Sequence, residues 1–111
     1  MSNNRYSENA IIAAGETVSG IVNCDKGKLV GIVTPSGFDG ASFTFLVCQT
    51  KGGTYQQLVR ASDGAAVTAT VALSKHAVVD PDDFFSAKFI KIVSSATEVA
   101  AVTIELILIH L

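Results

Sequence analysis

The chain has 111 residues, enough for one domain with a modest core, and only 16% of them are charged, against roughly 25% in an average soluble domain. Hydrophobic residues make up 49% and mean hydropathy is +0.44; a small domain has the most surface to cover, so this shortage of charge points to surface covered by partners. The net charge is −2 and the eight Lys and Arg are scattered, which argues against nucleic-acid binding, and no apolar run reaches the roughly 18 residues of a membrane helix.

The first nine residues, Met1 to Asn9, are polar. They are expected to form a flexible arm, with residues 10–111 as the folded domain. The apolar stretch Ala10 to Ala14 is too short for a secretory core, so synthesis in a cytoplasm without Sec-type export is expected. Beyond the arm the hydrophobic period is two nearly everywhere, the spacing of strands. Ala10 to Ala13 reads as a short strand and Thr17 to Val22 as another. Lys28 to Thr34 follows, with Leu29, Gly31 and Val33 expected on one face and Val30 and Ile32 on the other. Ser42 to Thr50 places Phe43, Phe45 and Val47 together, and Lys51-Gly52-Gly53-Thr54 reads as the hairpin into Tyr55 to Arg60.

Val67 to Val71 and His76 to Val79 read as shorter strands. Asp80-Pro81-Asp82-Asp83-Phe84-Phe85 predicts at most one helical turn, because Asp caps and Pro opens such turns. Lys88 to Ser94 alternates with Ile90 and Ile92 on one face, and the chain closes with Val102 to Leu111. About eight or nine short strands punctuated by turns predict an all-β fold, an antiparallel β-sandwich or jelly-roll-like single domain.

The last strand is unusual. Val102, Ile104 and Leu106 alternate with Thr103 and Glu105, but from Leu106 onward both faces are apolar. A strand buried on one side alternates, and one buried on both sides does not. One face belongs to the core. The other, carrying Ile107, Ile109 and Leu111, is expected to be covered by a neighbouring subunit. These three residues, with Arg5 and Tyr6 of the arm, form the candidate interface.

No constellation points to catalysis. The sequence lacks a nucleophile elbow, a zincin helix, a phosphate loop and a dinucleotide fingerprint. His76 and His110 fall on different strands, and His110 alternates with Leu108, which suggests a partly buried or interface histidine. Asp80, Asp82 and Asp83 lack the alternating spacing of a calcium loop. Cys24 and Cys48 have neither CxxC spacing nor a nearby His, so they are expected to be reduced, apolar-like residues. Six Phe, two Tyr and no Trp leave little for stacking on sugars. The expectation is a non-enzyme without cofactor or metal, with no nucleic-acid or membrane partner.

Two stretches carry a resemblance. The first is Lys28-Leu29-Val30-Gly31-Ile32-Val33-Thr34-Pro35, followed by Ser42-Phe43-Thr44-Phe45 and Gly52-Gly53-Thr54-Tyr55. The second is Val79-Asp80-Pro81-Asp82-Asp83-Phe84, then Lys88-Phe89-Ile90-Lys91-Ile92-Val93-Ser94 and Thr103-Ile104-Glu105-Leu106. This order, over about residues 9 to 111, resembles small β-sandwich structural proteins of tailed bacteriophages, of the capsid decoration or cement type. An aromatic would be expected before Lys88, where Ala87 stands. The resemblance implies a virion protein that oligomerises, as a trimer at a lattice three-fold, and binds the major capsid protein or other virion proteins. A receptor- or glycan-binding module of a tail or fibre, or a head–tail connector component, is the alternative.

Overall fold

Nine strands and one short turn of 3₁₀ helix carry the chain between Arg5 and His110. The structure, a computed structural model, describes residues 4–110. In chain order the strands are β1 (Arg5–Ile12), β2 (Val22–Asn23), β3 (Gly27–Val33), β4 (Ser42–Cys48), β5 (Gln56–Gln57), β6 (Ala69–Thr70), β7 (His76–Val78), β8 (Phe89–Ser94) and β9 (Val102–His110); the 3₁₀ turn is Pro81–Phe84. They form two antiparallel sheets. The first has the order β1-β9-β3-β7, and the second β2-β8-β4-β5, with β6 also pairing β4. This is the antiparallel sandwich that the strand spacing predicts.

The core lies between the sheets and follows the alternation. Val102, Ile104, Leu106 and Leu108 of β9 are buried, as are Phe43 and Phe45 of β4 and Ile90 and Ile92 of β8. Phe38 stacks on Phe43 with ring centroids 4.7 Å apart, and Phe84 meets Phe45 edge-on at 4.9 Å. These are the two arrangements aromatic quadrupoles favour. Phe84 reaches the core because the 3₁₀ turn is held as its sequence predicts: Pro81 opens it and the Asp80 carboxylate accepts from the Asp82 N–H at 3.0 Å.

Three expectations are corrected. Arg5 to Asn9 are not a free arm but the first part of β1, paired along its length with β9 from Arg5 opposite Ile109 to Ile12 opposite Val102. Their polarity reflects an edge strand, which needs backbone partners on one side only. In β3 a bulge between Leu29 and Gly31 shifts the parity, so Leu29 and Ile32 share the core face instead of lying on opposite faces. Thr17 to Val22 contributes only the start of β2 and a bridge from Val18 to Val93. There Ser19 replaces a regular ladder: its N–H donates to the Ile92 carbonyl at 2.9 Å and its hydroxyl accepts from the Ile92 N–H at 3.0 Å.

Candidate interaction surface

The antiparallel register decides which side chains of the first sheet look away from the core. Across the sheet, Ser7 lies opposite Ile107, and Ile107 opposite Gly31, which in turn faces Val78. One step along, Arg5 faces Ile109; in the other direction Asn9 faces Glu105, and Glu105 faces Val33. Successive residues alternate faces. The outer face is therefore built from Arg5, Ser7, Asn9 and Ile11 of β1 and from Thr103, Glu105, Ile107 and Ile109 of β9, with Gly31 and Val33 of β3 and His76 and Val78 of β7 beside them.

Ile107 and Ile109 are half-buried, whereas the alternating Leu106 and Leu108 are wholly inside. The small neighbours explain the partial cover of Ile107. Ser7 flanks it on one side and Gly31 on the other. A Cβ placed on Gly31 would lie 3.4 Å from the Cβ of Ile107 and 3.2 Å from Nε2 of His76. The space a side chain would take at Gly31 is thus already bounded by His76 and Ile107. Beyond it Val78 is 88% exposed, and at the β1 side Ile11 is 57% exposed. Ile11 and Val78 thus lie at the two edges of the face that carries Ile107 and Ile109.

The five residues singled out in the sequence do not all share this face. Ile107, Ile109 and Arg5 do. Leu111 lies outside the described residues. Tyr6 points the other way: it packs against the core and stacks on His110 with ring centroids 4.2 Å apart. Burial and the neighbouring Cys24 and Glu8 raise the Tyr6 phenol above its usual pKa. His110 is exposed, since the strand reaches the rim of the sandwich there. Ser7, Ile11, Gly31, His76 and Val78 were not singled out. The period-two spacing of Ile11 with Arg5, Ser7 and Asn9 was the available signal for the β1 side.

A second feature lies on the core side of β1. Tyr6 and Glu8 line a groove of about 210 Å³ with Asn23 of β2 and Lys26 of the turn into β3. Its outer wall is the edge of the first sheet. The His110 N–H donates to the Asn4 carbonyl at 2.7 Å, so in this register the even residues of β1 direct their backbone groups at β9 and the odd ones direct theirs outward. The Ile11 carbonyl confirms the direction by accepting from the Gly20 N–H at 3.2 Å. The outward backbone groups of Ser7 and Asn9 meet no described partner.

At the far edge a recess of about 170 Å³ opens beside β7. Phe45 and Phe84 lie at its floor and Arg60, Asp83 and Thr68 among its lining residues. The Arg60 guanidinium donates to Asp83 at 2.9 Å, and this pairing raises the Arg60 pKa. Elsewhere, the Cys24 thiol is buried and pushed up to about 12 by desolvation, while Cys48 is held below the usual thiol range by the Thr50 N–H. Both are free thiols. No group of three His, Cys, Asp or Glu arranged to hold a metal occurs among the described residues, and no helix there is long and apolar enough to cross a membrane.

Neither a family model nor the sequence of a curated protein matches the chain. Among solved structures it is similar to the SPBc2 prophage-derived protein YomS, with a TM-score of 0.57 and 10% identity over 98% of this chain and 97% of that one. It is also matched, at a TM-score of 0.43 and 12% identity, to CBM32-1 from a family 31 glycoside hydrolase of Clostridium perfringens, over 95% of this chain and 76% of that one. At such identity the likeness to YomS is one of fold. It spans both chains almost from end to end.

Proposed function

We propose that this is a non-enzymatic bacteriophage virion protein of the capsid decoration or cement type, which self-associates and binds the capsid lattice through the outer face of its first sheet. The observation that carries this reading is an outer sheet face on which Ile107 and Ile109 are only half-buried and Ile11 and Val78 are exposed. A flat sheet face with apolar side chains in the open suits a flat protein lattice better than a small polar solute. The full-length likeness to a prophage-derived protein supports a phage origin, and the low charge content fits a chain that works inside an assembly.

The test is retention on purified capsids. Wild-type protein should sediment with them at a fixed ratio to the major capsid protein, and Ile107→Lys/Ile109→Lys should not. Undiminished retention of the double variant would refute the assigned face; no retention of the wild type would refute the decoration reading.

One observation favours a glycan- or receptor-binding module instead. The recess at β7 combines the Arg60–Asp83 pair with an apolar aromatic floor, the mixture that fixes a small polar ligand. A glycan array with one sugar class bound, and lost on Arg60→Ala, would favour that reading.

A further inference from the structure

We propose that two copies of this chain pair antiparallel along the open edge of β1, about a two-fold axis at Ser7, and so join their first sheets into one. The inference rests on the self-association in the proposed function and names the partner, the strand and the symmetry.

Three features of β1 carry it. First, the outward N–H and C=O groups of Ser7 and Asn9 meet no described partner, and such an edge is a template for another strand. Second, Ser7 and Asn9 are exposed, and beyond them the edge is closed at Ile11, whose carbonyl is taken by Gly20. Third, the groove beside the edge is charged in a way that selects its occupant. It is lined by Tyr6, Glu8, Asn23 and Lys26, so one wall carries a cation and the strand itself carries an anion.

A strand pairing with its own copy through outward residues allows few registers. With Ser7 opposite the partner's Ser7, Tyr6 falls opposite the partner's Glu8, and the reverse. The partner's Glu8 then enters the groove near the Tyr6 hydroxyl and the Lys26 ammonium, twice by symmetry. Shifting two residues one way sets Glu8 against the partner's Glu8, a like-charge contact that is disfavoured. Shifting the other way sets Tyr6 against the partner's Tyr6 and takes the partner's carboxylate away from Lys26. The central register lets Ser7 and its copy exchange two backbone hydrogen bonds, as an antiparallel hydrogen-bonded pair does. It also places the two outer faces side by side, doubling the surface offered to a lattice. An isologous pair of this kind closes as a dimer, in place of the trimer that the sequence resemblance implies.

The test is the mass of the full chain by size-exclusion chromatography with light scattering, over a wide concentration range. The wild type should run at twice 11.6 kDa. Ser7→Pro removes an outward N–H without touching the bonds to β9 and should give a folded monomer. Glu8→Lys and Lys26→Glu should each raise the dimer dissociation constant at least about tenfold, as loss of a close interfacial charge pair does. The double variant Glu8→Lys/Lys26→Glu should restore the dimer, which a merely destabilised β1 would not do. A dimer or trimer that survives all three single substitutions would overturn the edge pairing and leave self-association standing. A wild-type monomer at every concentration would overturn both.

Discussion

Glu98 and Asp39 hold each other's loops. The Glu98 carboxylate accepts from the Asp39 N–H at 3.0 Å, and the Asp39 carboxylate accepts from the N–H of Val99, next to Glu98, at 2.8 Å. The other Glu98 oxygen accepts from the Ser94 hydroxyl at 3.1 Å, and Glu98 is completely buried. Its backbone is used as well: its N–H donates to the Glu16 carbonyl and its own carbonyl accepts from Gly15. One residue thus ties the segment after β1 and the loops before β4 and β9 into one corner of the sandwich.

Because these donors lose both water and partner when the carboxylate is removed, Glu98→Ala should cost about 3 kcal/mol. Glu98→Gln keeps a carbonyl for the Asp39 N–H and an amide that the Ser94 hydroxyl can accept, so it should lose less than half as much. Chemical denaturation of the two variants checks the order.

The two faces of β9 should respond oppositely to substitution. Ile104 is wholly buried, and Ile104→Ala should cost about 2–5 kcal/mol through the lost contacts and the cavity. Ile107→Lys/Ile109→Lys changes half-buried outer side chains whose Lys heads can reach water. It should leave the far-ultraviolet circular dichroism intact and cost less stability than Ile104→Ala, while abolishing capsid retention. A collapse of stability in the double variant instead would place that face in the core of the domain.

Gly27 sits where β3 begins beside the last residues of β9. A Cβ there would lie 2.6 Å from the Tyr6 hydroxyl and 2.7 Å from the Ile109 carbonyl. Gly27→Ala must therefore push β1 or β9 outward, at about 1–3 kcal/mol for such overpacking. Hydrogen exchange should show the loss concentrated at the Tyr6 end of β1, where the shift occurs.

The two thiols should separate cleanly by reactivity and by pH. Cys48 is partly exposed and its thiolate is favoured by the Thr50 N–H, so it should react with a disulfide reagent in the folded protein. Cys24 should react only on unfolding. The Cys24 pKa rises from 9.0 to about 12 on folding, so its contribution is fully present below pH 9 and is lost as pH climbs toward 12. The slope is about 1.4 kcal/mol per pH unit in that window. Denaturation of wild type and Cys24→Ala at pH 8 and pH 10.5 should show a smaller alkaline loss in the variant.

Much of the architecture is readable in the residues themselves. Phe43 with Phe45, Ile90 with Ile92, and Val102 through Leu108 alternate because a sheet with one face against a core imposes a period of two, and that period survives in the sequence. Asp80-Pro81 marks its turn because the cap and the fixed Pro φ act within a few residues. The half-apolar second face of β9 is legible for the same reason.

What the residues could not state is whatever depends on a partner strand distant in the chain. Arg5 to Asn9 look like a solvated arm because an edge strand is held by the backbone of β9, which side-chain pattern does not record. The bulge at Val30 slips the parity of β3, and Glu98 reads as a loop residue until the corner closes around it. Ile107 and Tyr6 fall on opposite faces only once β1 and β9 are in register. Alternation determined that this chain is a sandwich with one apolar face too many. Pairing between segments about a hundred residues apart decided where that face lies, and left the edge of β1 open beside it.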